Sequence, residues 1–169
     1  VILPDHQIHA LCEQGMVSPY DRDLCNPCSL DVRLGSTLLI ESAQSPELVR
    51  YPLEGHTQDR PYWMSPGQFV LSGTLEYVRI PETICAQFAL KSSRAREGIE
   101  HLLAGWIDSG FWGVITLELH NSRQLHPVAL WPGMRIGQLV FSRLASTPER
   151  SYAVTGRYHQ AQTVEASKG

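Results

Sequence analysis

Four short runs of the chain concentrate side chains able to do chemistry. The densest is Lys91-Ser92-Ser93-Arg94-Ala95-Arg96-Glu97-Gly98, which follows the apolar Phe88-Ala89-Leu90. Its cations and paired hydroxyls suit phosphate oxygens: guanidinium groups offer forked donors, the ammonium a point charge, and serine a short donor close to the backbone. If the serine pair opens a helical turn, its free backbone N–H groups add to the site. The alternative is an exposed basic loop with a serine N-cap. The second run is Gly105-Trp106-Ile107-Asp108-Ser109-Gly110-Phe111-Trp112-Gly113. A hairpin with glycine at strained positions lets backbone atoms approach a planar ligand, and Asp108 can accept a hydrogen bond from a sugar hydroxyl. The alternative is an ordinary hairpin with aromatic packing and Asp in its turn.

The third is Glu118, within Val114-Ile115-Thr116-Leu117-Glu118-Leu119. Strict alternation puts Glu118 on one face with Thr116 and Val114, opposite Ile115, Leu117 and Leu119. Buried there, it needs a partner or a raised pKa, the state of a general base or acid; facing outward, it is a solvated strand residue. The fourth, Trp131 to Phe141, reads as a tight turn feeding a buried strand. Cys25-Asn26-Pro27-Cys28 has half the spacing of a zinc or redox site,. Cys12 and Cys85 are isolated and no His pair has finger spacing, so the plain reading is two thiols in a turn before a strand.

The elements that must position these residues are mostly strands. Residues 4–15 carry Ile8, Leu11 and Cys12 at helical spacing, with Asp5 as N-cap and Gly15 as stop. Then come short β-type runs: Ser29 to Leu34, Ser36 to Glu41, Phe69 to Leu71, Tyr77 to Ile80, Ile84 to Leu90, Val114 to Leu119, Val128 to Leu130 and Ile136 to Phe141. Pro66-Gly67, Pro81, Gly110, Gly113, Asn121-Ser122 and Pro132-Gly133 punctuate them. Such a pattern predicts an all-β sandwich or barrel. Residues 42–63 read as a polar surface excursion, and 146–169 as an extended or mobile tail.

The chain has 169 residues, enough for one domain with a real core,. Lys+Arg 14 against Asp+Glu 17 gives a charge of −3, which argues against a nucleic-acid polymer as ligand,. Hydrophobic residues make up 43% and charged ones only 18%, which argues against disorder and leaves either an apolar surface or one covered by partners,. No apolar run is long enough to cross a bilayer and Val1–His6 lacks a secretion pattern, so the expectation is a soluble, cytoplasmic protein with no membrane partner.

In order along the chain, Ser29-Leu30-Asp31-Val32-Arg33-Leu34-Gly35, Ser65-Pro66-Gly67, Thr74-Leu75-Glu76, Ile80-Pro81, the 91–98 run, Ile107-Asp108-Ser109-Gly110-Phe111-Trp112-Gly113, Leu117-Glu118-Leu119-His120-Asn121 and Pro132-Gly133-Met134-Arg135-Ile136-Gly137-Gln138-Leu139 resemble the dCTP deaminase branch of the dUTPase superfamily. Within it, Glu118 and the Ser-Ser-x-Ala-Arg loop look like the deaminase rather than the simple dUTPase. The resemblance implies a distorted β-barrel of jelly-roll type over residues 1–145 with a short N-terminal helix, a tail over 146–169 that closes the active site, and a homotrimer with sites between subunits. It implies the reaction dCTP + H2O → dUTP + NH3 without zinc, with Mg²⁺ carried by the triphosphate and dTTP as an inhibitor. The residues agree on zinc: no His is followed two positions on by Glu, and Pro27-Cys28 is not followed by x-x-Cys,.

The resemblance also implies roles. Glu118 takes a proton from the water that attacks C4, with Ser92 and Arg96 orienting that water. Ala104 offers its backbone, Asp108 holds the 3′-hydroxyl, and Phe111 packs on the sugar. Lys91, Ser93 and Arg94 meet the phosphates, and Ala95, Thr116, Leu117, Gln138, Tyr152, Arg157 and Gln162 complete the nucleotide site. Two departures stand out. Gly98 to Asp108 is one residue short of the family spacing, and the tail reads Arg157-Tyr158-His159-Gln160-Ala161-Gln162, with Ala161 where the family has Gln. Two other functions stay open: a bifunctional enzyme taking dCTP to dUMP, since Asp108 sits where dUTPases activate water, and a nucleotide-binding regulatory protein on the same fold.

Overall fold

A computed structural model describes residues 1–169. In chain order its elements are α1 (Asp5–Glu13), β1 (Val17–Ser18), β2 (Cys25–Asn26), β3 (Ser29–Ser42), β4 (Ser45–Pro52), β5 (Tyr62–Met64), β6 (Phe69–Arg79) and β7 (Ile84–Leu90). Then follow α2 (Ser92–Arg96), β8 (Ile99–His101), β9 (Trp106–Ile107), β10 (Trp112–Asn121), β11 (Val128–Leu130), β12 (Arg135–Arg143) and α3 (Tyr152–Thr155). The main sheet runs β8-β10-β6-β3-β12-β7-β9, with β1, β2 and β4 attached beside it, and β5 pairs with β11 in a separate ribbon. The sheet curls into a half-barrel, as the all-β expectation required. Leu30, Leu34, Leu38, Leu117, Leu119, Leu139 and Phe141 are fully enclosed at its centre. Each such side chain contributes about 1.5–3 kcal/mol by leaving water.

Four local expectations fail for identifiable reasons. The runs Phe69–Leu71 and Tyr77–Ile80 are one strand, β6, continued through the small and polar Ser72, Gly73 and Thr74, which are buried in it. The runs Ser29–Leu34 and Ser36–Glu41 are one strand, β3, whose register against β6 shifts between Leu34 and Leu38, where Gly35 lies. Its first half pairs with β12 and its second with β6 and β4, so this single strand links the two halves of the sheet. Residues 42–63 are not merely an excursion, because 45–52 form β4 against β3. None of the residues of this edge strand is buried, so it carries no apolar alternation, which hides it in the sequence,. Asp5 is the first residue of α1 rather than its cap; Pro4 holds the cap position without a side-chain bond. Cys25 and Cys28 behave as thiols in a turn before a strand, since Cys25–Asn26 pairs back on Ser29–Leu30. Burial pushes the Cys12 thiol up to about 12 and raises that of Cys25 as well.

Candidate active site

Alternation along β10 does place Glu118 as expected. Ile115, Leu117 and Leu119 face the core, while Thr116, Glu118 and His120 are half-buried on the outer face. Against that face lies a cavity of about 530 Å³. Ala104, Asp108, Phe111, Thr116, Glu118 and Tyr152 all line it. Thr116 and Glu118 come from β10 and Ala104, Asp108 and Phe111 from the segment before it, but Tyr152 arrives from α3, beyond the last strand of the sheet. Its ring meets Phe111 at 5.7 Å between centroids. The Glu118 carboxylate has one polar side chain close by: its Oε2 lies 3.2 Å from His101 Nε2, without hydrogen-bond alignment. The His101 ring is fixed in turn against Phe88, centroids 4.7 Å apart. Asp108 is exposed, and the Trp106 indole N–H donates to its Oδ1 at 2.9 Å.

The run 105–113 is not a hairpin. Trp106–Ile107 pairs with β7, whereas the strand from Trp112 pairs with β6, so the two arms belong to opposite ends of the sheet. Two of its glycines make room for protein rather than for a ligand. A Cβ at Gly105 would meet the Phe88 carbonyl at 2.5 Å, and one at Gly113, whose φ is +149°, would meet the Ala161 backbone at 2.8 Å. The space at Gly113 admits the tail. The Ala161 carbonyl accepts from Val114 N–H at 2.8 Å, Val164 is buried, and the Glu165 N–H donates to Thr116 Oγ1 at 3.3 Å. Ala161, where the family pattern has Gln, is therefore a small residue in a tight backbone contact. Tyr158 and Glu165 bring further tail groups to the cavity.

The basic loop is elsewhere. None of residues 91–96 lines this cavity. Ser92, Ser93, Ala95 and Arg96 are exposed on α2, and Lys91 holds its cap position, so no serine caps the helix. Lys91 Nζ is 2.5 Å from Oδ2 of Asp31, a carboxylate only 2% exposed that also accepts from Asn26 at 2.9 Å. Arg94 lies over the Trp131 ring at 5.8 Å and pairs with Glu97 at 2.8 Å. Leu117 points into the core, Gln138 accepts from Ser29 at 2.7 Å, and Gln162 accepts from the Tyr77 hydroxyl at 2.7 Å. Arg157 is exposed. One chain thus gathers the carboxylates with the aromatic and small residues of the expected site, and holds the free serines and Arg96 apart from them. Sequence reasoning missed His101, Trp106, Tyr158 and Glu165. Only Trp106 left a usable signal, its place two residues before Asp108, which directly follows β9.

The curled sheet with its outer-face cavity defines a protein of the deoxycytidine triphosphate deaminase fold. The crystal structure of 2′-deoxycytidine 5′-triphosphate deaminase from Agrobacterium tumefaciens superposes with a TM-score of 0.67 at 24% identity, over 83% of this chain and 47% of that one, so this chain spans about half the length of that protein. The family profile described as dCTP deaminase-like matches residues 2–144. Relatives named "dCTP deaminase, dUMP-forming" are 40% identical in Bifidobacterium animalis subsp. lactis, over 96% of this chain and 90% of the relative, and 39% identical in Thermobifida fusca, over 96% and 89%. The chain belongs to the dCTP deaminase-like family. No helix in it is long and apolar enough to cross a membrane.

Proposed function

We propose that the chain deaminates dCTP at C4 and carries the product on to dUMP: dCTP + 2 H2O → dUMP + NH3 + pyrophosphate. The observation that carries this reading is one cavity lined by both Glu118 and Asp108. The first step alone would give dUTP; the second is favoured by relatives at 40% identity named as dUMP-forming.

Glu118 removes a proton from water as its oxygen bonds to C4, then returns protons to N3 and to the departing ammonia. Its carboxylate is half-buried on the cavity wall and its contact with His101 is unaligned, which leaves it able to take up the water,. Asp108 holds the deoxyribose 3′-hydroxyl while Phe111 and Tyr152 wall the sugar; in the second step Asp108 activates the water that attacks the α-phosphorus. Ser92, Ser93 and Arg96 supply donors for that water and the phosphates from a second copy, because in one chain they lie outside the cavity. A homotrimer with sites between subunits provides this arrangement. Mg²⁺ enters with the triphosphate on phosphate oxygens and water. Lys91 and Arg94, held by Asp31 and by Glu97 with Trp131, shape the loop more than they neutralise the substrate.

Incubation with dCTP and Mg²⁺, read by chromatography and ammonia release, tests the proposal. The expected products are dUMP and pyrophosphate. Accumulating dUTP removes the second step, and unchanged dCTP removes the first.

A further inference from the structure

A second cavity, of about 420 Å³, lies outside the nucleotide site. It is large enough for a small-molecule ligand. Leu11, Met16, Ile80 and Pro81 give it an apolar lining. Arg79 and Trp112 stand beside them, directly opposed across β6 and β10, so their side chains share a face,. Both are exposed, Trp112 by 40%. The Arg79 guanidinium has neither an ion pair nor an aromatic ring beneath it, although the Glu82 carboxylate lines the same cavity. One Glu82 oxygen accepts from the Ser151 hydroxyl at 2.6 Å, and the other is open. The two cavities share a wall. Phe111 and Tyr152 face the nucleotide site, whereas their chain neighbours Trp112 and Ala153 face the second cavity, together with His159. Rings bridge that wall, with centroids 5.7 Å apart for Phe111 and Tyr152, 6.5 Å for Tyr152 and His159, and 6.3 Å for His159 and Trp112. The His159 Nδ1 is buried without a hydrogen-bond partner, so ring contacts seat this side chain.

We propose that the second cavity is an effector site for a nucleoside 5′-monophosphate, with the base on the Trp112 ring and the phosphate on Arg79. One guanidinium offers forked donors to one phosphate, and one indole face takes one planar ring. A single cation beside the Glu82 carboxylate does not suit the charge of a triphosphate. The open Glu82 oxygen accepts from a sugar hydroxyl. The ligand that the reaction supplies is dUMP, and that choice rests on the functional reading above. Seated there, dUMP packs Trp112 and His159 in place, and with them the segment that carries Tyr152 and Tyr158 to the nucleotide site. A ligand in either cavity favours the same closed tail, so the two sites are coupled, and the coupling is reciprocal. dUMP in the second cavity then retains the nucleotide in the first, which slows turnover as product accumulates.

The test measures how fast a dUTP analogue with nitrogen between its α- and β-phosphates leaves the full chain. Labelled analogue is bound first, and excess unlabelled analogue prevents its return. Adding dUMP is expected to slow the release at least about fivefold, the lower end of ordinary coupling. Competition within the nucleotide site cannot slow release, so the sign of the effect identifies a second site. Arg79→Gln is expected to abolish the slowing while dCTP turnover at low dUMP stays within about twofold. Trp112→Ala is expected to do the same, and the wild-type comparison stands by itself if either variant does not fold. Release unchanged by dUMP overturns the inference. So does slowing that persists in Arg79→Gln, or equal slowing by inorganic phosphate, which would mark an anion site only. An analogue that does not bind removes the functional reading instead. Equilibrium dialysis of labelled dUMP then decides the inference: one molecule per chain, lost in Arg79→Gln, supports it, and binding that does not depend on Arg79, or no binding, overturns it.

Discussion

Two pairs of carboxylates share this sheet and are treated in opposite ways. Asp31 and Glu76 are 2% and 1% exposed, and each is saturated. Glu76 accepts from the Arg33 backbone N–H at 2.8 Å and from its Nε at 2.7 Å, while Asp31 takes Lys91 and Asn26. Glu118 and Asp108 lie in the cavity with one neighbour each, His101 without alignment and Trp106 at an exposed edge. A buried carboxylate whose lone pairs are all taken holds the fold together and has no capacity left for a substrate. A half-buried one with an unaligned partner keeps that capacity. Residue type alone separates none of the four; bonding does.

The comparison breaks most visibly at Glu118. Glu118→Gln removes the proton acceptor and lowers deamination by about a thousandfold, within the usual range for a general base. It leaves dCTP binding intact. A half-exposed side chain with no saturated network costs the fold little, so the unfolding temperature moves by roughly 2 °C or less. Steady-state rates together with calorimetric binding and thermal unfolding measure all three. Near-normal turnover would move the proton-transfer role elsewhere.

Glu76→Ala is the mirror image. It strands the Arg33 guanidinium beside a buried gap, at a cost of about 3 kcal/mol, which for a chain of this size lowers the unfolding temperature by roughly 10 °C. Below the new transition, kcat is expected to hold within about twofold, because nothing that touches substrate has gone. A loss of kcat without loss of stability would place Glu76 with the functional pair instead.

The next effect is a recovery. Glu118→Gln and Arg96→Ala are each expected to be inactive. If the cavity is completed by α2 of a second copy, unfolding the two variants together and refolding the mixture regenerates some sites with both residues intact, and part of the wild-type activity returns. If Arg96 serves its own chain, the mixture stays as inactive as its components.

How much of this the sequence disclosed depended on where a residue's partner lies. The face carrying Glu118 was legible, because alternation from Ile115 to Asn121 is local and unbroken, past the register shift between Val114 and Thr116. The helical turn at Ser92 was legible only as one of two alternatives, and its cap is Lys91 rather than a serine. The fate of Lys91 and Arg94 was not legible. A cation in a basic loop reads as available until the fold brings Asp31 from β3, or Trp131 from the turn before β12. His101 was hidden likewise, since nothing at its own position marks it as the neighbour of Glu118. Strand β4 escaped because none of its residues is buried and so no apolar alternation marks it, and the hairpin expected over 105–113 failed because pairing choices between distant strands leave no local trace. Local periodicity therefore gave the architecture and the location of the cavity, while long-range pairing decided which charges remain free.

The smallest effect concerns the weaker member of the functional pair. Asp108 is exposed, so its carboxylate has several rotamers available, and the Trp106 indole N–H selects among them. Trp106→Phe keeps an aromatic wall on the cavity and deletes that donor. A hydrogen bond at such a site is worth about 1 kcal/mol, or roughly fivefold in the population of the selected rotamer. If Asp108 activates water at the α-phosphorus, the ratio of dUMP to dUTP falls about fivefold while ammonia release changes less than about twofold, because Glu118 is untouched. Trp106→Ala would confuse the two effects by removing the wall as well. An unchanged product ratio in Trp106→Phe would mean that the backbone turn after β9 already fixes the carboxylate, and that Asp108 is set by the fold as firmly as Asp31 and Glu76 are.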